Sequence, residues 1–549
     1  MTTIESHSDP RLGLDASSSG LAHVAGWVTS TDHKRIGRMY LGAAALFFVA
    51  SATVALLLGI ERISPDREWL DIGSLTQLFA LERFGFVYLV LVPLSIGIAI
   101  AIVPLQVGAR SLVFPRLAAA GFWAWLIGAG LAVYALVNNG GPNGGNGRFV
   151  DLFTLSAAFV VAGLLAGVVS LLTTILTNRA PGMNMRRVPF FTWSVLVSSL
   201  CLVVALPVLI GDLLYVYVAH HYPSISELSG NRALSQWAGF GFTQPTTILF
   251  AIPVLGFLVD VVATATGRRL QPRGGLFACI ALVGIGVFAT VLQWPVTLRP
   301  GFSGLSGSEK VKDLLPFLLV HGLPVLGAFT VVALSLKNLV GKPKISAHLV
   351  FALGAGVLLL GAVVANLVAH VGAAEVSGTV FEEGTMLTVV YAGVLLALGA
   401  VTYWGPKWWG RALPMKSTLP LALLAFVGAM LATDPLLIAG FADQPGGVFP
   451  SVERGNDAAV NFLYGGPYEL WNLLSAVGHG LVLLAVLAFI ALALKAFLTG
   501  EAAGDDPWDG HTLEWATTSP APADNFAAVH IVRSAEPLLD LKPSNRSDA

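Results

Sequence analysis

Phe84-Gly85-Phe86-Val87-Tyr88-Leu89-Val90-Leu91-Val92-Pro93-Leu94-Ser95-Ile96-Gly97-Ile98-Ala99-Ile100-Ala101-Ile102-Val103-Pro104-Leu105-Gln106 runs for 23 positions without one charged side chain. As an α-helix it would be about 35 Å long, at about 1.5 Å per residue. A bilayer's hydrocarbon core is about 30 Å thick, so this stretch is a membrane span. Eleven more runs of similar length and character flank it: 37–60, 117–138, 152–177, 190–219, 243–266, 274–297, 313–338, 346–371, 384–404, 417–440 and 467–498. Gly- and Pro-rich connections separate them, such as Asn139 to Asn146 and Gln444 to Gly447. The expected fold is therefore all-α, with about twelve transmembrane helices.

Composition agrees. Of 549 residues, 55% are hydrophobic and 11% charged, with a mean hydropathy of +0.76. A soluble domain carries about a quarter charged residues, so too little polar surface is left here to face water. The net charge of -1 gives nucleic acid no support as a partner. Cys201 and Cys279 are the only cysteines, and both lie in apolar runs. They build neither a disulfide framework nor a zinc site, and read as core thiols. Residues 1–36 form a polar tail without a signal-peptide core, 37–498 the bundle, and 499–549 a polar second tail.

Orientation is read from Lys and Arg in the loops. Fourteen follow even-numbered spans, among them Arg110, Arg187, Arg269, Arg273, Lys344 and Lys407; nine, spread over longer stretches, follow odd-numbered ones. His33-Lys34-Arg35 before the first span points the same way, so both termini are expected in the cytoplasm. Trp404, Trp408 and Trp409 near that face, and Trp237 and Trp294 near the other, fit aromatic belts.

Several segments, in order along the chain, carry a resemblance. They are Trp27-Val28-Thr29-Ser30-Thr31-Asp32-His33-Lys34-Arg35-Ile36-Gly37, Val103-Pro104-Leu105-Gln106-Val107-Gly108-Ala109-Arg110 with Phe114-Pro115-Arg116-Leu117, and Phe351-Ala352-Leu353-Gly354 with Val363-Val364-Ala365-Asn366. Further on come Tyr403-Trp404-Gly405-Pro406-Lys407, Leu470-Trp471-Asn472-Leu473-Leu474-Ser475, and Thr512-Leu513-Glu514-Trp515-Ala516-Thr517-Thr518-Ser519-Pro520 with Asn525-Phe526. Together they resemble subunit I of the haem-copper oxidases. The resemblance implies reduction of dioxygen coupled to proton pumping. It also implies a low-spin haem held by two His, a high-spin haem held by one, and a copper held by three.

The expected ligand positions hold other residues. No histidine lies between His33 and His220, and span 2 opens with Leu81-Glu82-Arg83-Phe84-Gly85 where the family has His-Gly. In span 6, with Gln236, Phe242, Pro245 and Pro253 fixing the register, Gln244 stands for the first copper ligand. Thr246 stands for the proton-relaying Glu and Ile248 for the ligand-linked Tyr. Gln293 and Trp294 replace the His pair of span 7. Span 10 reads Phe381-Glu382-Glu383-Gly384-Thr385-Met386 where the family has His-Phe-His. Gly446-Gly447 replaces a propionate-binding Arg pair, and Ser111 a proton-uptake Asp. No haem or copper is expected to bind, although the family would supply both.

Polar residues inside a bilayer are functional candidates. His321, His370 and His479 fall in spans 8, 9 and 12, and the first two could share a site or each bond a neighbouring helix. Glu82, Arg83, Glu382 and Glu383 stand at the outer mouths of spans 2 and 10, either as an Arg–Glu pair filling the place of the low-spin haem or as solvated helix ends. Asp212 and Asp434 are candidates for a wet, proton-conducting path; Asp260 reads as an interfacial partner of Arg268 and Arg269. The leading expectation is a non-catalytic oxidase-like subunit, in cell-membrane lipid, packed with other subunits of an aerobic respiratory complex. An oxidase with unusual ligands and a transporter or proton channel using the vacated cavity are the alternatives.

Overall fold

The computed structural model describes residues 25–63, 69–70, 72–222, 246–288, 297–341, 343–447, 467–528 and 531–541. Among them, eleven helices are long and apolar enough to span a bilayer. These are α1 (His33–Ile63), α2 (Leu75–Gln106), α3 (Pro115–Val137), α4 (Gly147–Thr177), α5 (Phe190–His221), α6 (Thr247–Thr266), α8 (Gly307–Asn338), α9 (Ala347–Ala369), α10 (Val380–Trp409), α11 (Met415–Phe441) and α12 (Tyr468–Thr499). The expected seventh span is represented by a shorter apolar helix, α7 (Arg273–Gly286), and its outer part falls outside the described residues. The apolar runs underestimate several ends. α1 starts at His33 rather than 37 and continues to Ile63 rather than 60, and α10 extends to Val380 and Trp409 at its two ends. Helices continue into polar termini because the backbone ladder costs nothing extra where side chains find partners.

α2 and α6 are wholly buried over their apolar windows and α10 is 94% buried, whereas α12 is only 28% buried. The three form the interior of the bundle, and the others wrap them with one face left for lipid. Small residues allow the closest approaches, as expected where lipid removes the hydrophobic drive between helices. At Gly37 of α1 an added Cβ would strike Gly97 and Ala101 of α2, and at Gly478 of α12 it would strike the backbone of α11 at Ala432.

Two helices carry a π-turn, Gly85–Leu91 in α2 and Leu318–Gly322 in α8. Each lies just before a proline, Pro93 and Pro324 respectively. Proline has no N–H to give its preceding turn, and the ladder widens there instead of breaking.

The segment after α12 folds back over the ends of α1, α2, α6 and α10. Asn525 Nδ2 donates to Ala109 O at 2.8 Å, while its Oδ1 accepts from Lys34 Nζ at 2.9 Å and faces His33 Nε2 at 2.9 Å. Lys407, fully buried, donates to Asp505 O and Thr517 O at 2.7 and 2.5 Å. Gln106 Nε2 donates to Glu514 at 3.0 Å, and Trp404 Nε1 donates to the same oxygen at 3.2 Å. Two of the segments that carry the resemblance, the exit from α2 and the tail, thus meet at one buried carboxyl group. Trp404 and Trp408 are buried within the protein, so neither is a lipid-facing belt residue.

Asp260 also has a different role from the interfacial one expected. It accepts from Phe190 N at 3.0 Å and Phe191 N at 2.9 Å, capping from α6 the orphan donors at the start of α5. Arg269 pairs instead with Glu536, at 3.3 Å, and with Asp540 of the tail.

Candidate functional site

At the face of the bundle opposite the tail, α1, α2, α10 and α12 bring together a cluster of buried polar side chains. Arg62, in the last turn of α1, donates Nη1 and Nη2 to Glu383 Oε1 and Oε2 of α10, each at 2.6 Å. The side chains are 5% and 1% exposed, so this is a forked ion pair removed from solvent. Asn472 of α12 donates to Arg62 O at 3.1 Å and accepts from Gln444 Nε2 at 3.0 Å. About two turns deeper, His479 Nδ1 and Tyr391 Oη lie 2.5 Å apart, both buried. Glu383 and Arg62 are the charges that His479 faces.

Glu82 of α2 is buried beside this pair and faces the charges of Glu383, Arg62 and Arg83. Its Oε2 has no hydrogen-bond partner among the described residues. Glu82 and Glu383 are therefore interior groups, not solvated helix ends. The cation expected to pair across spans 2 and 10 was Arg83, but the ion pair that forms uses Arg62. Arg83 is half-buried and reaches toward Gly447, where its Nη2 lies 3.8 Å from the place of a Cβ. Glu382 turns away as well: it accepts from Gly378 N at 3.2 Å and Ser377 Oγ at 3.4 Å. Gly384 faces α11, packed on Leu436 and Leu437.

Below the polar cluster α2 and α10 are in direct contact. Phe86 and Tyr391 pack edge to face with centroids 6.0 Å apart, and Phe48 of α1 lies 6.2 Å from Phe86. A Cβ on Gly393 of α10 would collide with the Leu91 side chain of α2.

The structure brings His321 and His370 together, as the hairpin of spans 8 and 9 suggested. Their rings stack with centroids 4.1 Å apart and planes at 25°. Asn366 Nδ2 lies 3.3 Å from His321 Nδ1, and His370 Nδ1 donates to Asn366 O at 2.7 Å. The His321–Asn366 contact and the ring stack tie α8 to α9, while the His370–Asn366 bond stays within the end of α9. Asp212 and Asp434 are not brought together: α5 packs on α4, α6 and α7, and α11 on α9, α10 and α12. Gln244, Gln293 and Trp294 lie outside the described residues. Among the described residues no group of three or more His, Cys, Asp or Glu could hold a metal ion.

Arg62, Tyr391, Asn472 and Gln444 were missed in the sequence. Ending span 1 at residue 60 put Arg62 in a loop. Its pairing with Glu383 joins residues 321 positions apart, a contact no local pattern encodes.

Eleven long apolar helices, with their buried charged groups gathered toward the two ends of the bundle, define a polytopic, multi-pass membrane protein. Comparison with known proteins then places it. Residues 35–481 match the family model described as Cytochrome C and Quinol oxidase polypeptide I, and the chain belongs to this haem-copper oxidase subunit I family. It is 26% identical over 530 residues to Cytochrome c oxidase subunit 1 of Bacillus subtilis (strain 168), covering 93% of this chain and 82% of that one. The protein of the same name from Bacillus sp. (strain PS3) is 25% identical over 530 residues, covering 93% and 83%. "Probable cytochrome c oxidase subunit 1-alpha" of Streptomyces coelicolor (strain ATCC BAA-471 / A3(2) / M145) is 28% identical over 548 residues, covering 94% and 89%. The expected fold and the cell-membrane location are in accord with these relatives.

Proposed function

We propose that this chain is a non-catalytic member of its family, a scaffold subunit that packs within or beside a complex of the aerobic respiratory chain. The observation that carries this reading is the buried Arg62–Glu383 pair with Glu82 beside it. The pair runs from α1 to α10 and Glu82 comes from α2, at the outer mouths of spans 2 and 10 where the family's low-spin haem would hang.

A haem would need two imidazoles facing each other across the iron and a slot for a flat macrocycle. The donors here are carboxylates already engaged or facing a guanidinium, and His479 is turned onto Tyr391. The packing of Phe86, Tyr391 and Phe48 leaves the helices touching, and Gly393 lies against Leu91. These residues do not fit the group. No dioxygen chemistry is therefore derived for this chain.

What remains is the architecture. The tail is pinned across the bundle by Asn525, Lys407 and Glu514, which gives a fixed surface on that face for other subunits. The relatives are named as subunits, and a chain that keeps the shape can occupy a subunit's place without its chemistry. Affinity purification from native membrane tests this. Respiratory-complex subunits are expected in stoichiometric amounts; recovery of the chain alone, at full yield in mild detergent, would overturn the proposal.

A further inference from the structure

The half of the bundle nearer the tail carries a second site, unrelated to the polar cluster. A groove of about 320 Å³ runs between α1 and α12 with α10 as its floor. Its trunk is apolar, lined by Leu41, Phe48, Val394 and Phe489. It opens outward where Gly42 and Leu494 stand exposed. Its other end is different. There Arg38, Trp27, Trp408 and Trp409 close it.

That end offers donors and positive charge. Trp408 Nε1 and Trp409 Nε1 are buried and lack a hydrogen-bond partner among the described residues, and the Trp408 side chain is 3% exposed overall. Arg38 sits over the Trp27 ring at 5.0 Å and donates Nε to Lys34 O at 3.2 Å. Among the described residues it makes no ion pair. Arg35 lies over the same indole at 5.8 Å and adds a second cation at the rim. Two guanidinium groups stacked on one indole, at the head of an apolar channel, match one kind of molecule: an anion carrying a hydrocarbon chain.

We propose that this groove is a specific site for an anionic phospholipid. One acyl chain lies along α10 between α1 and α12. The phosphodiester oxygens accept from Arg38 at the groove's mouth. Charge selects the occupant. A zwitterionic lipid brings a compensating cation to a rim that already holds Arg35 and Arg38, and a quinone brings carbonyls without charge.

Native mass spectrometry of the purified, delipidated full-length chain tests this, with phosphatidylglycerol, phosphatidylcholine and a long-chain quinone titrated separately. The wild type should retain one phosphatidylglycerol per chain, at least tenfold tighter than phosphatidylcholine. Arg38→Gln should erase that preference, and Arg38→Lys should restore most of it. Equal retention of the two phospholipids by the wild type would overturn the proposal. So would an unchanged preference in Arg38→Gln, or tighter binding of the quinone. Arg38→Lys guards against a folding defect, because it keeps the charge at the same place.

Discussion

Deleting one side of the Arg62–Glu383 pair should be among the most damaging single changes in the bundle. Both partners are nearly solvent-free and joined by two 2.6 Å bonds, so removing either strands the other charge away from water. The expected cost is about 3–5 kcal/mol for Arg62→Leu or Glu383→Leu alone. The double variant removes both charges together. It should cost less than either single, giving a coupling of about 3 kcal/mol or more in a double-mutant cycle. Glu82→Gln removes a like charge facing Glu383 and should be neutral or stabilising. Unfolding in detergent micelles by graded sodium dodecyl sulfate, followed by tryptophan fluorescence, measures all four. Singles that each cost under about 1 kcal/mol, with coupling near zero, would refute the reasoning and return Glu383 to the status of a solvated helix end.

Three further outcomes follow from other parts of the fold. Asp260→Ala should cost about 1–2 kcal/mol or more in the same unfolding assay, because Phe190 and Phe191 lose their acceptor inside the protein. Burial raises the Glu514 carboxyl above its usual range of about 4.5, opposed by bonds from Gln106, Thr512 and Trp404. A raised carboxyl contributes stability that is full below the unfolded value and lost as pH rises through the folded one, so tail docking should loosen with rising pH. Hydrogen exchange over residues 505–526 should show this in the wild type and a flatter profile in Glu514→Gln; a profile that tightens with pH would contradict it. Reporter fusions after His511 and near Asn143 should place the first in the cytoplasm and the second outside, since the basic loops lie on the tail's face. A tail reporting the outer side would reverse the topology.

The bundle was legible because a lipid environment imposes it: each span needs about 20 apolar residues, and Phe84 to Gln106 supplies them without a break. Helix ends were less so. Arg62 and Glu383 extend helices past the apolar run because they have each other, and that pairing belongs to the tertiary fold. The same holds for Asp260, which looks interfacial in the sequence because Arg268 and Arg269 follow it, yet serves the start of another helix. His321 and His370 were recognisable as neighbours from the hairpin of spans 8 and 9, since both stand toward the same end of adjacent helices. The groove at Arg38 was invisible. Its walls come from three helices far apart in the chain, and each wall alone is ordinary apolar sequence.

An ion pair from α1 to α10, with Glu82 of α2 beside it, stands where a haem would need open space. A reduced-minus-oxidised absorption spectrum of the purified chain, freed from any co-purifying oxidase subunits and scaled to protein concentration, tests it most directly. No haem band and no stoichiometric copper are expected in the same sample. A haem band corresponding to one group per chain would contradict it. Replacing His321, His370 and His479 in turn would then identify the ligand.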